Sequence, residues 1–135
     1  MVGKIYITHC SWKKDDALQG TNKKVTPDRL YTAAFIQRFV SRCKQCHANW
    51  AIFSDKYGIV LPSDVIPWYD MSPSAVTENE YQVLLKNFGE KLIGYDEIWF
   101  YHLPTRFHRL YKKLVQDARK QGMLINLFSH VAEIR

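Results

Sequence analysis

Long apolar runs are missing from this 135-residue chain. No stretch approaches the roughly 20 residues that a membrane-crossing helix needs, and the apolar part of MVGKIYITHCSW at the start is shorter than a secretory core region requires. A cytosolic protein with no membrane partner is therefore expected. Cysteine is scarce: Cys10, Cys43 and Cys46 are the three in the chain, and an odd number without an export signal argues for free thiols over a disulfide framework. Biased tracts and internal repeats are absent as well, so no disordered segment of any length is expected. The Gly-rich Walker loop, GxGxxG, HExxH and GxSxG do not occur, which weakens nucleoside-triphosphate hydrolysis, dinucleotide redox, zincin and ordinary esterase chemistry. The single CxxC, Cys43-Lys-Gln-Cys46, lacks the second pair that a zinc site needs. With His47 it spells CxxCH, the attachment pattern for c-type haem, but covalent haem also needs export, a distal ligand and a haem-sized fold. No metal or cofactor is expected, and Cys43 is read as a core residue.

The residues that are present describe an ordinary globular chain, 47% hydrophobic and 24% charged, long enough to bury a core without covalent staples. A single α/β domain over 1–135 is the expectation. The net charge of +6 is uneven, because residues 105–122 carry six Lys or Arg against one Asp. A basic face of that kind attracts phosphates or nucleic acid, although a solvated, lysine-rich helix surface is the commoner cause.

Hydrophobic periodicity orders the elements. Lys4-Ile-Tyr-Ile-Thr8 is β-branched and aromatic and reads as a first strand, followed by a long polar loop from Trp12 to Val25. Thr26, Pro27 and Asp28 mark a helix start. Tyr31, Phe35, Phe39 and Cys43 then give an apolar stripe, so one continuous helix to about Cys46 is expected. Trp50-Ala-Ile-Phe53 reads as a buried strand with Ser54 to Gly58 as its exit loop. Pro62, Pro67 and Pro73 make 59–76 an irregular excursion. Thr77-Glu-Asn-Glu80 is a capping box opening a second helix that Gly94 ends. Glu97-Ile-Trp-Phe-Tyr101 is a third strand, Thr105 caps a third helix closed by Gly122, and Met123 to Phe128 is a fourth strand. Such alternation implies a small, mostly parallel four-stranded sheet with helices on both faces, a three-layer sandwich.

In an open α/β sheet, ligands bind beyond the carboxyl ends of the strands. There the chain places His9, Cys10 and Ser11 after strand one, Ser54, Asp55, Lys56 and Tyr57 after strand two, His102 after strand three, and Ser129 and His130 after strand four. Each alone is an ordinary polar strand end. Several together, with Lys14 and Tyr69-Asp70, make a candidate site. Cys10 is open to two readings, a nucleophile or a packed thiol. Lys56 before Gly58 is a candidate anion-binding turn or a solvated one.

Three stretches carry a family likeness. Cys10-Ser11-Trp12-Lys13-Lys14 matches CSxxK, Leu30-Tyr31-Thr32 with Phe35 matches LYTxxxF, and Ser54 to Asp70, SDKYGIVLPSDVIPWYD, matches SAKYGLLxPxxVIxPYD at the same spacing. The chain thereby resembles a family of small α/β proteins of bacteria, archaea and phages known as a domain of unknown function. The likeness covers residues 10–70, and beyond about 80 only element order agrees. It implies a site built from Cys10, Ser11, Lys14, Lys56, Tyr57, Gly58, Tyr69 and Asp70. Asp55 stands where the family has a small residue and Trp68 where it has a proline, so the pocket there departs from the family's. More loosely, the Cys-Ser start with its lysine and tyrosine is similar to the core domain of archaeosine synthase, which implies modified-base or nucleotide chemistry.

The leading expectation is a nucleotide-binding enzyme, a hydrolase or transferase acting on a nucleotide, nucleoside or modified base. Cys10, Asp70 and His9 are its candidate catalytic residues, with Asp70 or His9 as acid or base. Lys14 and Lys56 would hold anionic groups, Tyr57 and Tyr69 the base, and Ser11, Ser54 and Gly58 the remaining contacts. The alternative is a non-catalytic nucleic-acid-binding accessory using Arg106, Arg109, Lys112 and Lys113 on the basic helix. Oligomeric state is left open.

Overall fold

The structure, a computed structural model, describes residues 3–135. Its strands are β1 (Lys4–His9), β2 (Lys24–Val25), β3 (Trp50–Ser54), β4 (Gly58–Val60), β5 (Ile66–Pro67), β6 (Glu97–Tyr101) and β7 (Ile125–Phe128). The α-helices are α1 (Pro27–Leu30), α2 (Ala34–Gln45), α3 (Glu78–Leu92) and α4 (Arg109–Lys120). Short 3-10 turns lie at Asp16–Leu18, Pro73–Ala75 and Val131–Glu133.

The main sheet runs β4-β3-β1-β6-β7. β1 is parallel to β3 and β6, and β6 is parallel to β7. β1 lies at the centre, so nearly all of it is buried, which is why it reads as an unbroken apolar run. Its side chains divide between two cores. Tyr6 packs with Leu30, Ile36, Phe39 and Val40 from α1 and α2, while Ile5 and Ile7 pack with Leu84, Phe88, Leu114 and Val115 from α3 and α4. The chain leaves β1 toward one neighbour and later returns to β6 on its other side, and a crevice at the strand ends is expected where such connections part.

The sheet has five strands where four were expected. The extra one is the antiparallel edge strand β4, paired through Ile52–Val60, Phe53–Ile59 and Ser54–Gly58. Gly58 turns the chain with φ +76°, a conformation that costs a side-chain-bearing residue. An added Cβ would lie 2.3 Å from Asn87 Oδ1, the atom that accepts the Ile59 N–H at 2.8 Å. The 59–76 excursion is correspondingly more regular than its prolines suggest, since β5 pairs antiparallel with β2 as a second small sheet.

The continuous first helix is also corrected. It breaks after one turn because Tyr31 is extended and bridges Lys14, with Asp15 donating to the Leu30 carbonyl and Thr32 to that of Lys13. Gln37 Nε2 donates to the Asp28 and Tyr31 carbonyls across the break. The loop from Trp12 to Val25 is therefore pinned at Lys14, Asp16–Leu18 and β2. The Thr77 capping box forms as read. Thr105 does not cap α4: His108 does, its Nδ1 accepting the Leu110 N–H at 3.0 Å. The CxxCH segment closes α2, with Cys43 fully buried, its thiol pushed up to about 12 chiefly by burial, and His47 in the left-handed conformation that ends the helix. Among the described residues no helix is long and apolar enough to cross a membrane.

Candidate functional site

The segments after β1 and β3 meet. Cys10 N–H donates to the Phe53 carbonyl at 2.9 Å, and Asp55 N–H donates to Cys10 Sγ at 3.4 Å. Parallel pairing of β1 with β3 forces this: His9 lies opposite Phe53, so the next residues of both strands share one rim.

The rim divides the candidate residues in two. The first group is a closed network beneath the β3–β4 turn. Tyr69 Oη lies 2.6 Å from Tyr31 Oη and 2.8 Å from Ser54 Oγ, and Ser54 Oγ also accepts the Lys56 and Tyr57 N–H groups. Tyr57 packs edge-on against Tyr69. Lys14 is buried, with Nζ donating weakly to the Trp12 carbonyl at 3.4 Å and lying 4.3 Å from the Tyr69 ring centre. Burial pushes its pKa down, opposed by Cys10, Asp55 and Asp70. Lys56 Nζ sits over the Tyr57 and Tyr69 rings, 5.3 and 5.9 Å from their centres. Ser54, Gly58 and Tyr69 thus shape the turn.

The second group lines a cleft of about 370 Å3 that includes His9, Cys10, Ser11, Asp55 and Asp70. His9 Nδ1 lies 2.9 Å from the Cys10 carbonyl, and its ring stacks on Tyr111 at 4.6 Å beside Phe35 at 5.2 Å. Burial lowers its pKa to about 4, so the ring is neutral at pH 7. A carbonyl only accepts, so Nδ1 holds the proton and Nε2 a lone pair. That Nε2 is buried with no hydrogen-bond partner, and so is Asp55 Oδ1. Each such atom costs about 1–3 kcal/mol when left unpaired. Burial raises the Asp55 carboxyl pKa. Cys10 Sγ lies 3.4 Å from Tyr111 Oη, and burial, then Asp55, pushes the thiol up to about 11. A thiol held in that state is a poor nucleophile at neutral pH. Ser11 Oγ accepts the Lys13 N–H, and Asp70 is exposed at the mouth.

Sequence reading missed Tyr111, Phe35 and His108, which also line this cleft, and gave Arg106, another lining residue, to the basic helix face instead. The stripe residues Phe35 and Tyr111 sit at helix starts nearest the rim, where a core position also faces the ligand. Lys14, Ser54, Lys56, Tyr57, Gly58 and Tyr69 do not line it. Lys14 and Asp70 line a neighbouring cleft of about 680 Å3. A further cleft of about 600 Å3 opens at the opposite rim beside Ile93 and Leu124, and its lining includes none of His9, Asp55, Trp68 and Trp99, which carry the buried partnerless polar atoms among the described residues. The basic helix has spent part of its charge: Lys113 pairs with Glu78 at 2.9 Å and Arg119 donates twice to the Ile125 carbonyl. Among the described residues no three His, Cys, Asp or Glu side chains converge to hold a metal ion.

No protein-family model, curated protein or solved structure matches this chain.

Proposed function

We propose that the chain is an enzyme acting on a nucleotide, nucleoside or modified base that enters the cleft bounded by His9, Asp55 and Tyr111. One observation carries this reading: two buried polar atoms, His9 Nε2 and Asp55 Oδ1, lack partners in a cleft with aromatic walls. Buried polar groups are otherwise almost always satisfied, and aromatic walls with a few unmet polar groups suit a planar, polar ligand. Phe35, Tyr111 and the largely exposed Trp12 supply flat apolar surface. Arg106, exposed at the mouth, takes over the anion-holding role first given to Lys14 and Lys56. His9, neutral with a free lone pair, serves as an acceptor or base, and Asp70 as the solvent-facing acid or base. The same reading makes the sheet the middle of a three-layer sandwich, with α2 on the Tyr6 side and α3 and α4 on the side of Ile5 and Ile7.

Calorimetric titration with a panel of nucleosides and nucleotides tests it. Saturable binding is expected, weakened at least about tenfold in His9→Phe, the loss of one buried polar contact, with an unchanged circular dichroism spectrum. No binding by any member of the panel overturns the reading.

A further inference from the structure

If a base occupies the cleft, as proposed above, the polarity of the cleft's buried atoms dictates which edge of the base enters. The His9 ring cannot offer a proton there. Its one N–H is spent on the Cys10 carbonyl, and stacking on Tyr111 fixes the ring's face, leaving Nε2 an acceptor without a donor. Asp55 Oδ1 is a second acceptor without a donor. No donor among the described residues reaches either atom, and two of the polar groups in the cleft wall are held elsewhere. The Tyr111 hydroxyl meets Cys10 Sγ. His108 accepts the Leu110 N–H through Nδ1, so its proton sits on Nε2, against Ser74 Oγ at 3.1 Å.

Two unmet acceptors call for two donors. We infer that the cleft selects a planar base presenting two adjacent N–H donors on one edge, the ring N–H and neighbouring exocyclic amine of a 2-amino-6-oxopurine, with its sugar or phosphate directed out toward Arg106. Adenine and cytosine each set one amine donor beside an acceptor on that edge, and uracil sets one donor between two acceptors. Any of these would oppose a lone pair to one of the two protein lone pairs, and an unpaired buried polar group is what a site discriminates against most strongly. Donors arriving at Oδ1 would also favour the ionised Asp55 carboxylate.

Guanosine and inosine differ only by the exocyclic amine and make the matched test. Isothermal titration of guanosine, inosine, adenosine, cytidine and uridine should rank guanosine first, tighter than inosine by about tenfold or more, as expected for one buried hydrogen bond. Asp55→Asn, which replaces one oxygen by a donor at constant size, should bring guanosine and inosine to within about threefold of each other. Should that variant fail to fold by circular dichroism, Asp55→Ser gives the same readout. Equal binding of all five nucleosides, or tightest binding of uridine, overturns the edge assignment and leaves the base-binding reading standing. No binding by any of them overturns both.

Discussion

Two polar clusters share the rim at the ends of β1 and β3, and they differ in saturation. Under the β3–β4 turn, Ser54, Tyr31 and Tyr69 satisfy one another, and Asn87 meets the Ile59 N–H. On the same rim, His9 and Asp55 each keep a buried atom with no partner. The closed cluster holds the fold, and the open one is left for a ligand. Residue type does not separate them, since both mix hydroxyls, rings and charges. The state of their hydrogen bonds does.

The closed cluster should break first and hardest. Gly58→Ala sets a Cβ against Asn87 Oδ1 at a positive φ, and is expected to cost about 3–4 kcal/mol from crowding and backbone strain. Chemical denaturation measures it. In a double-mutant cycle, adding Asn87→Ala should make the pair less damaging than the sum of its single changes by about 1–2 kcal/mol; additivity would mean that Asn87 does not set the need for glycine.

The open cluster should show itself through pH. His9 has a folded pKa of about 4 against 6.5 unfolded, so its neutral form contributes stability that is complete above pH 6.5 and is lost as pH falls through 4. The loss amounts to about 3 kcal/mol. Denaturation of the native chain and of His9→Phe across that range should show the variant with a flatter profile; parallel profiles would remove His9 from the account.

Tyr69→Phe removes the hydroxyl shared by Tyr31 and Ser54 and leaves the Tyr31 hydroxyl buried without a partner, at a cost of about 2 kcal/mol in stability. Ligand affinity should change little, since Tyr69 does not line the cleft. The smallest effect is expected of Lys56→Ala. Its ammonium lies over aromatic rings outside the cleft, so nucleoside affinity should stay within about twofold and stability within about 0.5 kcal/mol. A large loss of affinity would move the site to the turn.

The elements with strong local signals were legible in the chain. β1 and β6 follow from β-branched and aromatic runs, and α3 from its capping box and apolar spacing. The parts that were not legible depend on distant partners. The break between α1 and α2 exists because Tyr31 pairs with Lys14, which no helical propensity at Tyr31 registers. β4 requires Asn87, nearly thirty residues away, to receive Ile59. His108 caps α4 where Thr105 is the better cap by type, and the segment between them holds Phe107 stacked on the strand-end ring of His102. Of the candidate residues, His9 was placed by the strand-end rule alone, and Cys10 and Ser11 by that rule together with the CSxxK likeness. Phe35 and Tyr111 read as core because they are core, and their second face toward the cleft becomes visible only in three dimensions. Lys56 and Gly58 drew attention as a strand-end lysine in a glycine turn and again through the family likeness, and their contacts tie them to the turn.

The measurement closest to the central claim is the protonation state of His9, read from its ring nitrogen chemical shifts by nuclear magnetic resonance at pH 6, with and without guanosine. The account predicts a neutral ring carrying its proton on Nδ1, with a free Nε2 whose resonance moves to the hydrogen-bonded position as guanosine saturates the chain. A charged ring at pH 6, a proton on Nε2, or an Nε2 resonance indifferent to guanosine would contradict it.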